Sequence, residues 1–191
     1  GQVFLDGEPI ARNLTEARKR IGLIFQNPDS QIVGQTVAED VAFGPENLNL
    51  PREEVDKHVA ESLEAVGLSC LAAHQPHTLS AGQKRRLAIA GVLAMKPQII
   101  VFDEPFAGLD YPGVLQVLKQ IVSLHKGGHT IILVTHELEK VLAHANRLVI
   151  MEKGRIVRDG APGRLIGEVE LYGIKRPHNS NRGIECMTWL N

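Results

Sequence analysis

Three short runs of apolar residues along the chain have the pattern of buried β-strands. They occupy residues 21–25, 99–102 and 131–134. A continuous apolar run of this length, bounded by breakers, is typical of a strand that is buried on both faces of a parallel sheet. We therefore predict that these runs form neighbouring parallel strands in an α/β core.

Amphipathic and capped segments between the runs predict helices. Residues 52–66 form an amphipathic helix in which apolar residues recur at helical spacing. Ser80, with Gln83 three residues later, has the capping-box pattern and opens a helix that must end before Pro97. The segment before the first of these helices carries apolar residues among acids, and its end, residues 46–50, is predicted to be a loop because a proline follows.

Turn residues predict two antiparallel hairpins and an irregular tail. Near the start of the chain, Asp6-Gly7 separates short apolar segments, which is a hairpin signal. Further on, the apolar segments 148–151 and 155–157 flank a turn that contains Gly154. The C-terminal tail, residues 166–191, is mostly polar and is predicted to be irregular.

Composition narrows the functional classes. The chain has 191 residues with 21 Lys+Arg and 22 Asp+Glu, so its formal net charge is −1. Neither this charge nor an aromatic content of 4% favours nucleic-acid binding. Cys70 and Cys186 lack metal-site spacing, and a reduced cytosolic setting is expected. No apolar run approaches the roughly 18 residues needed to span a bilayer.

Polar side chains follow each apolar run, at the point where a strand would end. Gln26 follows the first run, Asp103 and Glu104 the second, and His136 comes two residues after the third. Ligands of open α/β sheets bind beyond the carboxyl ends of the strands. Asp103 could hold Mg²⁺, and Glu104 could orient or deprotonate a water molecule. The amide of Gln26 could also ligate Mg²⁺, and His136 could donate to a γ-phosphate. In isolation, each could equally be an ordinary turn or surface residue.

The helix that begins after Ser80 offers a second candidate site. A helix N-terminus with a serine hydroxyl, a glycine and free backbone N–H groups can bind phosphate. The alternative is a well-capped helix without a ligand. The basic residues that follow, Lys84 to Arg86, could form a solvated face of that helix.

Five motifs in a fixed order make the chain resemble the ATP-binding subunit of an ABC transporter. Phe25-Gln26 resembles the Q-loop, and residues 79–83 resemble the family signature, with Ala81 where glycine is commoner. Residues 101–104 resemble the Walker B strand with its catalytic glutamate, residues 107–110 the D-loop, and Thr135-His136 the switch histidine. The resemblance covers roughly residues 1–160.

The resemblance implies a three-layer α/β fold of the P-loop NTPase type. This fold has a parallel sheet, an antiparallel β part and a helical signature subdomain at about residues 36–96, within a domain of residues 1–165. ATP and Mg²⁺ are the implied cofactors. Implied catalytic residues are Glu104 and His136; implied metal ligands are Asp103 and Gln26; implied nucleotide-binding residues are Gln26, Ser80, Ala81, Gly82, Gln83 and Asp110.

Two segments resemble the cobalt and energy-coupling-factor vitamin-uptake ATPases in particular. They are residues 26–31 and residues 41–47. This resemblance implies a subunit that energises uptake of a metal ion, such as cobalt or nickel, or of a vitamin. The implied partners are a second ABC ATPase subunit, identical or not, and a transmembrane transporter component, at the cytoplasmic face of the membrane. No nucleic-acid partner is expected.

The sequence departs from the family pattern in one respect. It contains no Gly-x-x-x-x-Gly-Lys-[Ser/Thr] phosphate loop, which in the family precedes the region where this chain begins. We therefore expect the N-terminal strands and the phosphate loop to be missing and the chain alone to bind ATP weakly. The alternative function is an inactive truncated remnant that at most pairs with an intact ABC ATPase. A soluble ABC ATPase of DNA repair or translation is disfavoured, because only 53 positions separate Gln26 from Leu79 and these contain no coiled-coil insertion.

Overall fold

A computed structural model of the protein describes residues 2–178 and 183–190. The contacts within the chain define two compact units, one ending at Val134 and the other beginning at Thr135. This division differs from the boundary near residue 165 expected from the sequence, which stays a prediction. Within the described ranges, no helix combines the length and the apolar character that a membrane span requires.

The described residues form seven strands, six α-helices and several turns of 3₁₀-helix. The strands are β1 (Phe4–Leu5), β2 (Glu8–Pro9), β3 (Ile21–Ile24), β4 (Ile99–Asp103), β5 (Thr130–Val134), β6 (Leu148–Glu152) and β7 (Arg155–Gly160). The α-helices are α1 (Leu14–Arg20), α2 (Val37–Asn47), α3 (Arg52–Ala65), α4 (Ala81–Leu93), α5 (Tyr111–Lys126) and α6 (Pro162–Leu165). Turns of 3₁₀-helix cover Ile10–Arg12, Pro28–Ser30, Ser69–Leu71, Pro76–Thr78, Leu138–Lys140, Leu142–His144, Val169–Tyr172 and Ile184–Cys186.

The three apolar runs form one parallel sheet in the order β3-β4-β5. In β4, Phe102 pairs with Ile24 of β3 and with Leu133 of β5. The predicted strands, their parallel direction and their adjacency are therefore confirmed. Because β4 is the central strand, its register fixes where both neighbouring strands end.

The sheet is buried on one face only, which corrects the expectation of burial on both faces. Ile24 and Phe102 are fully buried, and they share the face on which Gly22 approaches α4. On the opposite face, Leu23 is 45% and Ile132 is 48% exposed. An apolar run predicts a strand but does not say which faces other elements cover, because that cover comes from residues distant in sequence.

The helical subdomain expected at about residues 36–96 contains α2, α3 and α4, which contact one another. Val41, Leu63 and Leu87 are among its buried residues. The structure extends α2 to Asn47, so the loop predicted for residues 46–50 begins later than expected. The loop prediction rested on Pro51, which lies beyond the end of this helix.

A capping box could have identified α2 from the sequence. Thr36 accepts a hydrogen bond from the Glu39 N–H (3.2 Å), and the Glu39 carboxylate accepts one from the Thr36 N–H (3.2 Å). At the other end, the Asn47 side-chain amide donates to the Phe43 carbonyl (2.7 Å). These bonds stabilise both ends of a helix whose sequence carries a proline.

The second unit contains the predicted hairpin, formed by β6 and β7. Its core includes Leu142, Ile150, Val169 and Met187, the last only 1% exposed. Val169 and Met187 come from the segment whose sequence predicts an irregular tail. The described part of that segment has no strand, yet it contributes side chains to a hydrophobic core.

The close approach of β3 to α4 leads to a stability prediction. A Cβ atom built on Gly22 would lie 2.2 Å from the Val92 Cγ1 atom. Gly22→Ala should therefore lower the free energy of unfolding by about 1–3 kcal/mol through overpacking. Gly91→Ala on α4 is the matched control, because its Cβ would meet only the Asp40 carbonyl oxygen at 3.9 Å. Urea unfolding should show equal or higher stability for the control. Equal losses in both variants would contradict this account of the packing.

Candidate functional site

The carboxyl ends of the three parallel strands lie at one edge of the sheet. Asp103, the last residue of β4, pairs with Val134, the last residue of β5. Gln26 follows β3 two residues after Ile24, which pairs with Phe102. The register therefore places Gln26, Asp103 and Glu104 at the same edge of the sheet, as the sequence predicts.

Glu104 leaves the sheet with an unusual backbone conformation. Its φ angle is +43°, in the left-handed region that residues with a Cβ rarely adopt. Its N–H donates to the Val134 carbonyl (2.9 Å), and its carbonyl accepts from the Ala107 N–H (3.2 Å). Strained backbone of this kind is concentrated at functional sites. Asp103, by contrast, has an exposed side chain at the end of a regular strand.

The loop that carries Gln26 is held by side-chain hydrogen bonds. The Gln31 side chain accepts from the Phe25 N–H (3.1 Å) and donates to the Leu23 carbonyl (3.3 Å). Asn27 accepts from the Asp29 N–H (3.1 Å) and so caps the turn at Pro28–Ser30. Gln26 itself is exposed. The loop thus presents the Gln26 amide from an ordered backbone.

The predicted phosphate-binding segment forms the N-terminus of α4, a helix of 13 residues. Ser80 Oγ accepts from the Gln83 N–H (3.3 Å), and Gln83 Oε1 accepts from the Ser80 N–H (2.8 Å). Ser80 and Ala81 are exposed, and a Cβ on Gly82 would meet no atom within 4 Å. The predicted capping box is present, and the segment remains open to an approaching anion.

Asp110 has a structural role that its motif did not reveal. Its side chain caps α5 by accepting from the Gly113 N–H at 3.0 Å. Before it, Gly108 has a φ angle of +71°, and Phe106 is 2% exposed. The loop from Glu104 to Asp110 therefore combines a buried anchor, a left-handed glycine and a helix cap. Its role in nucleotide binding stays a prediction.

His136 belongs to the second unit, where its side chain is exposed. The residues on either side of it form a tight turn, in which Thr135 Oγ1 accepts from the Glu137 N–H (3.1 Å). The expectation from the sequence that His136 lies with Gln26 and Asp103 at one edge of the sheet stays a prediction.

The basic run at the start of α4 is not the solvated face that the sequence left open. Lys84 Nζ lies 2.6 Å from Asp29 Oδ1 in the loop after Gln26. Arg85 is 2% exposed, and burial lowers the pKa of its guanidinium from the ordinary value. Arg86 donates to the Val66 carbonyl at 2.9 Å. No local pattern predicts these contacts, because their partners are distant along the chain.

The donor set at the sheet edge suits Mg²⁺ better than a transition metal. Within the described ranges, no three His, Cys, Asp or Glu side chains form a group that could enclose a metal ion. Mg²⁺ is commonly held by one or two protein oxygens together with nucleotide phosphates and water. Asp103 and Gln26 offer one carboxylate and one amide oxygen at the same edge, which fits that pattern.

A family comparison supports the motif assignment. Residues 1–107, more than half of the chain, match the protein-family model described as ABC transporter. The match includes the segments that carry Gln26, Ser80, Asp103 and Glu104.

Individual relatives are similar over most of the chain. The energy-coupling factor transporter ATP-binding protein EcfA of Methanocaldococcus jannaschii is 49% identical over 173 residues, covering 89% of this chain and 62% of that protein. A putative ABC transporter ATP-binding protein of Halobacterium salinarum is 44% identical over 177 residues, covering 93% of this chain and 76% of that protein. The chain thus spans about 62% of the length of the EcfA relative.

A solved structure has a similar fold. It is CbiO1 from Clostridium perfringens, described as part of the ABC transporter complex CbiONQ, and it superposes with a TM-score of 0.78 at 38% sequence identity. The superposition covers 90% of this chain and 70% of CbiO1. The α/β fold predicted from the sequence is therefore confirmed.

The capping geometry at Ser80 predicts a measurable contribution to stability. Ser80→Ala removes the acceptor of the Gln83 N–H and should cost about 1 kcal/mol of unfolding free energy. Ser80→Asp should retain most of that energy, because a carboxylate also caps a helix. Thr36→Ala, at the equivalent position of α2, serves as a positive control in urea unfolding. A Ser80→Ala variant as stable as the unmodified protein would show that the cap contributes nothing.

Proposed function

The chain belongs to the ABC transporter family, and we propose that it is an ATP-binding and ATP-hydrolysing subunit of an uptake transporter of the energy-coupling factor or cobalt type. The placement of Gln26, Asp103 and Glu104 at one edge of a parallel sheet carries this proposal. The similarity to EcfA and CbiO1 proteins supports the transporter class. Either a metal ion, such as cobalt or nickel, or a vitamin fits as the transported solute.

The proposed roles at the sheet edge follow from side-chain chemistry. Asp103 and Gln26 would hold Mg²⁺, which supplies positive charge that neutralises the phosphate oxygens of ATP. Glu104 would orient the attacking water or accept its proton, since its carboxylate follows Asp103 directly. The strained backbone of Glu104 would fix the direction of that carboxylate.

The N-terminus of α4 would bind phosphate in a composite site. Ser80, Ala81, Gly82 and Gln83 would contact a nucleotide that a second ABC ATPase subunit holds. The exposure of Ser80 and Ala81 supports this role. Asp110 and His136 would complete the two sites of such a dimer, Asp110 in nucleotide binding and His136 as a donor to the γ-phosphate.

The segment after Gln26, through about Glu46, would contact a transmembrane component of the transporter, and the subunit would lie at the cytoplasmic face of the membrane. Val33 is 60% and Phe43 is 53% exposed, so both are available for an apolar contact. Val37, which lies between them in the sequence, is fully buried in the helical subdomain and is not available for such a contact. A loop that joins a metal ligand to such a contact can transmit the presence of ATP by moving.

The proposed base predicts the behaviour of a charge-removing variant. Glu104→Gln retains size and hydrogen bonding but cannot accept a proton, so the ATPase rate should fall by roughly a hundredfold or more while ATP binding is retained. Hydrolysis and nucleotide binding are measured on the intact enzyme, a form of the protein that carries a phosphate-binding loop. Glu64→Gln, an exposed residue on α3, is the control and should keep the unmodified rate. Hydrolysis by Glu104→Gln near the unmodified rate would refute the role of Glu104.

The proposed membrane contact predicts a crosslinking pattern. Cysteines at positions 33 and 43, in a protein with Cys70→Ser and Cys186→Ser, should crosslink to the transmembrane component in the assembled transporter. Leu171→Cys is the control, since Leu171 is 77% exposed but lies in the second unit. Mass spectrometry of the crosslinked products identifies the partner. Crosslinks from positions 33 and 43 to the other ATPase subunit alone would contradict the proposed contact.

A further inference from the structure

Arg85 connects the helix of the candidate phosphate site to both loops of the candidate hydrolytic site. Its Nη1 donates to the Phe25 carbonyl at 2.7 Å, and its Nη2 donates to the Ala107 carbonyl at 3.4 Å. Phe25 directly precedes Gln26, and Ala107 lies between Glu104 and Asp110. One buried guanidinium thus connects its own helix to two loops, through residues that lie 60 and 22 positions away in the sequence.

We propose that Arg85 is a positioning residue that keeps the Gln26 loop and the Ala107 loop in a fixed position relative to α4. A displacement of α4 would then move both loops together, and the groups that contact phosphate would stay aligned with those that orient water. The significance of this coupling for hydrolysis rests on the proposed ATPase function. The coupling itself is a property of the first unit, and it can be tested without ATP.

The chemistry of the guanidinium suits this role. The planar group presents several N–H donors at fixed angles, so it can donate to two carbonyls that lie in different directions. It stays protonated although burial lowers its pKa. A lysine ammonium on a flexible stem lacks that fixed geometry. A shorter hydrogen bond is also the stronger one, so the Phe25 contact should constrain its loop more than the Ala107 contact does.

Stability alone does not account for a buried arginine at this position. The Arg85 Nε atom is buried without a hydrogen-bond partner among the described residues. Burying a cation with an unpaired donor lowers the stability of the folded protein. A protein with a well-packed apolar side chain at such a position is often as stable. What the apolar side chain would lack is the bond to each of the two loops.

Lys84 forms a second connection between α4 and the Gln26 loop. Its ammonium pairs with Asp29, whose side chain is 61% exposed. Solvent-exposed pairs contribute little to stability. The buried Arg85 is therefore the stronger of the two connections.

Arg86 provides a matched control on the same helix. It donates through Nη1 to the Val66 and Gly67 carbonyls at 2.9 and 3.4 Å, and its Nε is also buried without a partner among the described residues. Both arginines thus donate hydrogen bonds to backbone carbonyls, but in different segments of the chain. Arg86 contacts the end of α3, whereas Arg85 contacts the two loops of the candidate site.

Hydrogen–deuterium exchange of the whole protein tests the inference. In Arg85→Met, the Phe25 and Gln31 amides should exchange roughly tenfold faster or more, and the Leu109 amide should accelerate less. In Arg86→Met, faster exchange should appear at Gly67 and Leu68 instead. Unchanged Phe25 and Gln31 amides in Arg85→Met, or the same pattern in both variants, would overturn the proposal.

A conservative variant keeps the test decisive if Arg85→Met does not fold. Arg85→Lys retains the positive charge, but the lysine ammonium can donate a well-aligned hydrogen bond to only one of the two carbonyls. Its ammonium should retain the bond to Phe25, so exchange should accelerate at Leu109 and not at Phe25. Acceleration at neither loop would overturn the two-loop role.

Steady-state kinetics then separate positioning from general stability. In Arg85→Met, kcat for ATP should fall by roughly tenfold while KM changes little, because nucleotide contacts remain but the water-orienting groups shift. Arg85→Lys should restore part of the rate, and Arg86→Met should keep it. If Arg85→Met and Arg86→Met lower KM and kcat in the same way, the role of Arg85 in hydrolysis is overturned. If the intact enzyme, with a phosphate-binding loop, does not hydrolyse ATP, the proposed function fails, whereas the exchange experiment still decides whether Arg85 positions the loops.

Discussion

The pairing of β4 with both of its neighbours is the constraint on which the candidate site depends. Ladder hydrogen bonds fix Phe102 opposite Ile24 and Asp103 opposite Val134. A slip of one residue would move every side chain to the opposite face and expose Phe102. The hydrophobic burial of one face therefore sets the register, and the register sets where Gln26, Asp103 and Glu104 leave the sheet. The position of polar groups is thus determined by apolar residues that take no part in the chemistry.

Two of the candidate ligand-binding residues already make structural hydrogen bonds, and these bonds leave the required groups available. A serine hydroxyl has one donor and two acceptor sites. Ser80 uses an acceptor site to cap α4, so its O–H can still donate to a phosphate oxygen. Gln83 uses its Oε1 atom in the capping box, which leaves its NH₂ group as a donor. The cap orients both side chains before any ligand arrives, and pre-ordered groups lose less entropy on binding.

The sequence predicted those features that depend on neighbouring residues and missed those that depend on tertiary contacts. The three strands and the Ser80 capping box were predicted correctly, because apolar runs and caps are local patterns. Helix α2 was not predicted, and the loop predicted at residues 46–50 begins later than expected, because the helix continues to Asn47. The burial of Arg85 could not be predicted, because its acceptors lie 60 and 22 positions away. The position of His136 relative to the sheet edge stays a prediction from motif order.

Glu104 shows how local preference and tertiary structure oppose each other in this fold. A left-handed conformation costs a residue with a Cβ roughly 1–2 kcal/mol, and glycine would adopt a φ of +43° without that cost. The bond from the Glu104 N–H to Val134 and the bond from Ala107 to the Glu104 carbonyl hold the strained conformation. Glycine would relieve the strain but would supply no carboxylate at this position. Four other residues with a Cβ also have positive φ angles, so what distinguishes Glu104 is that its strained backbone directly follows the central strand of the sheet.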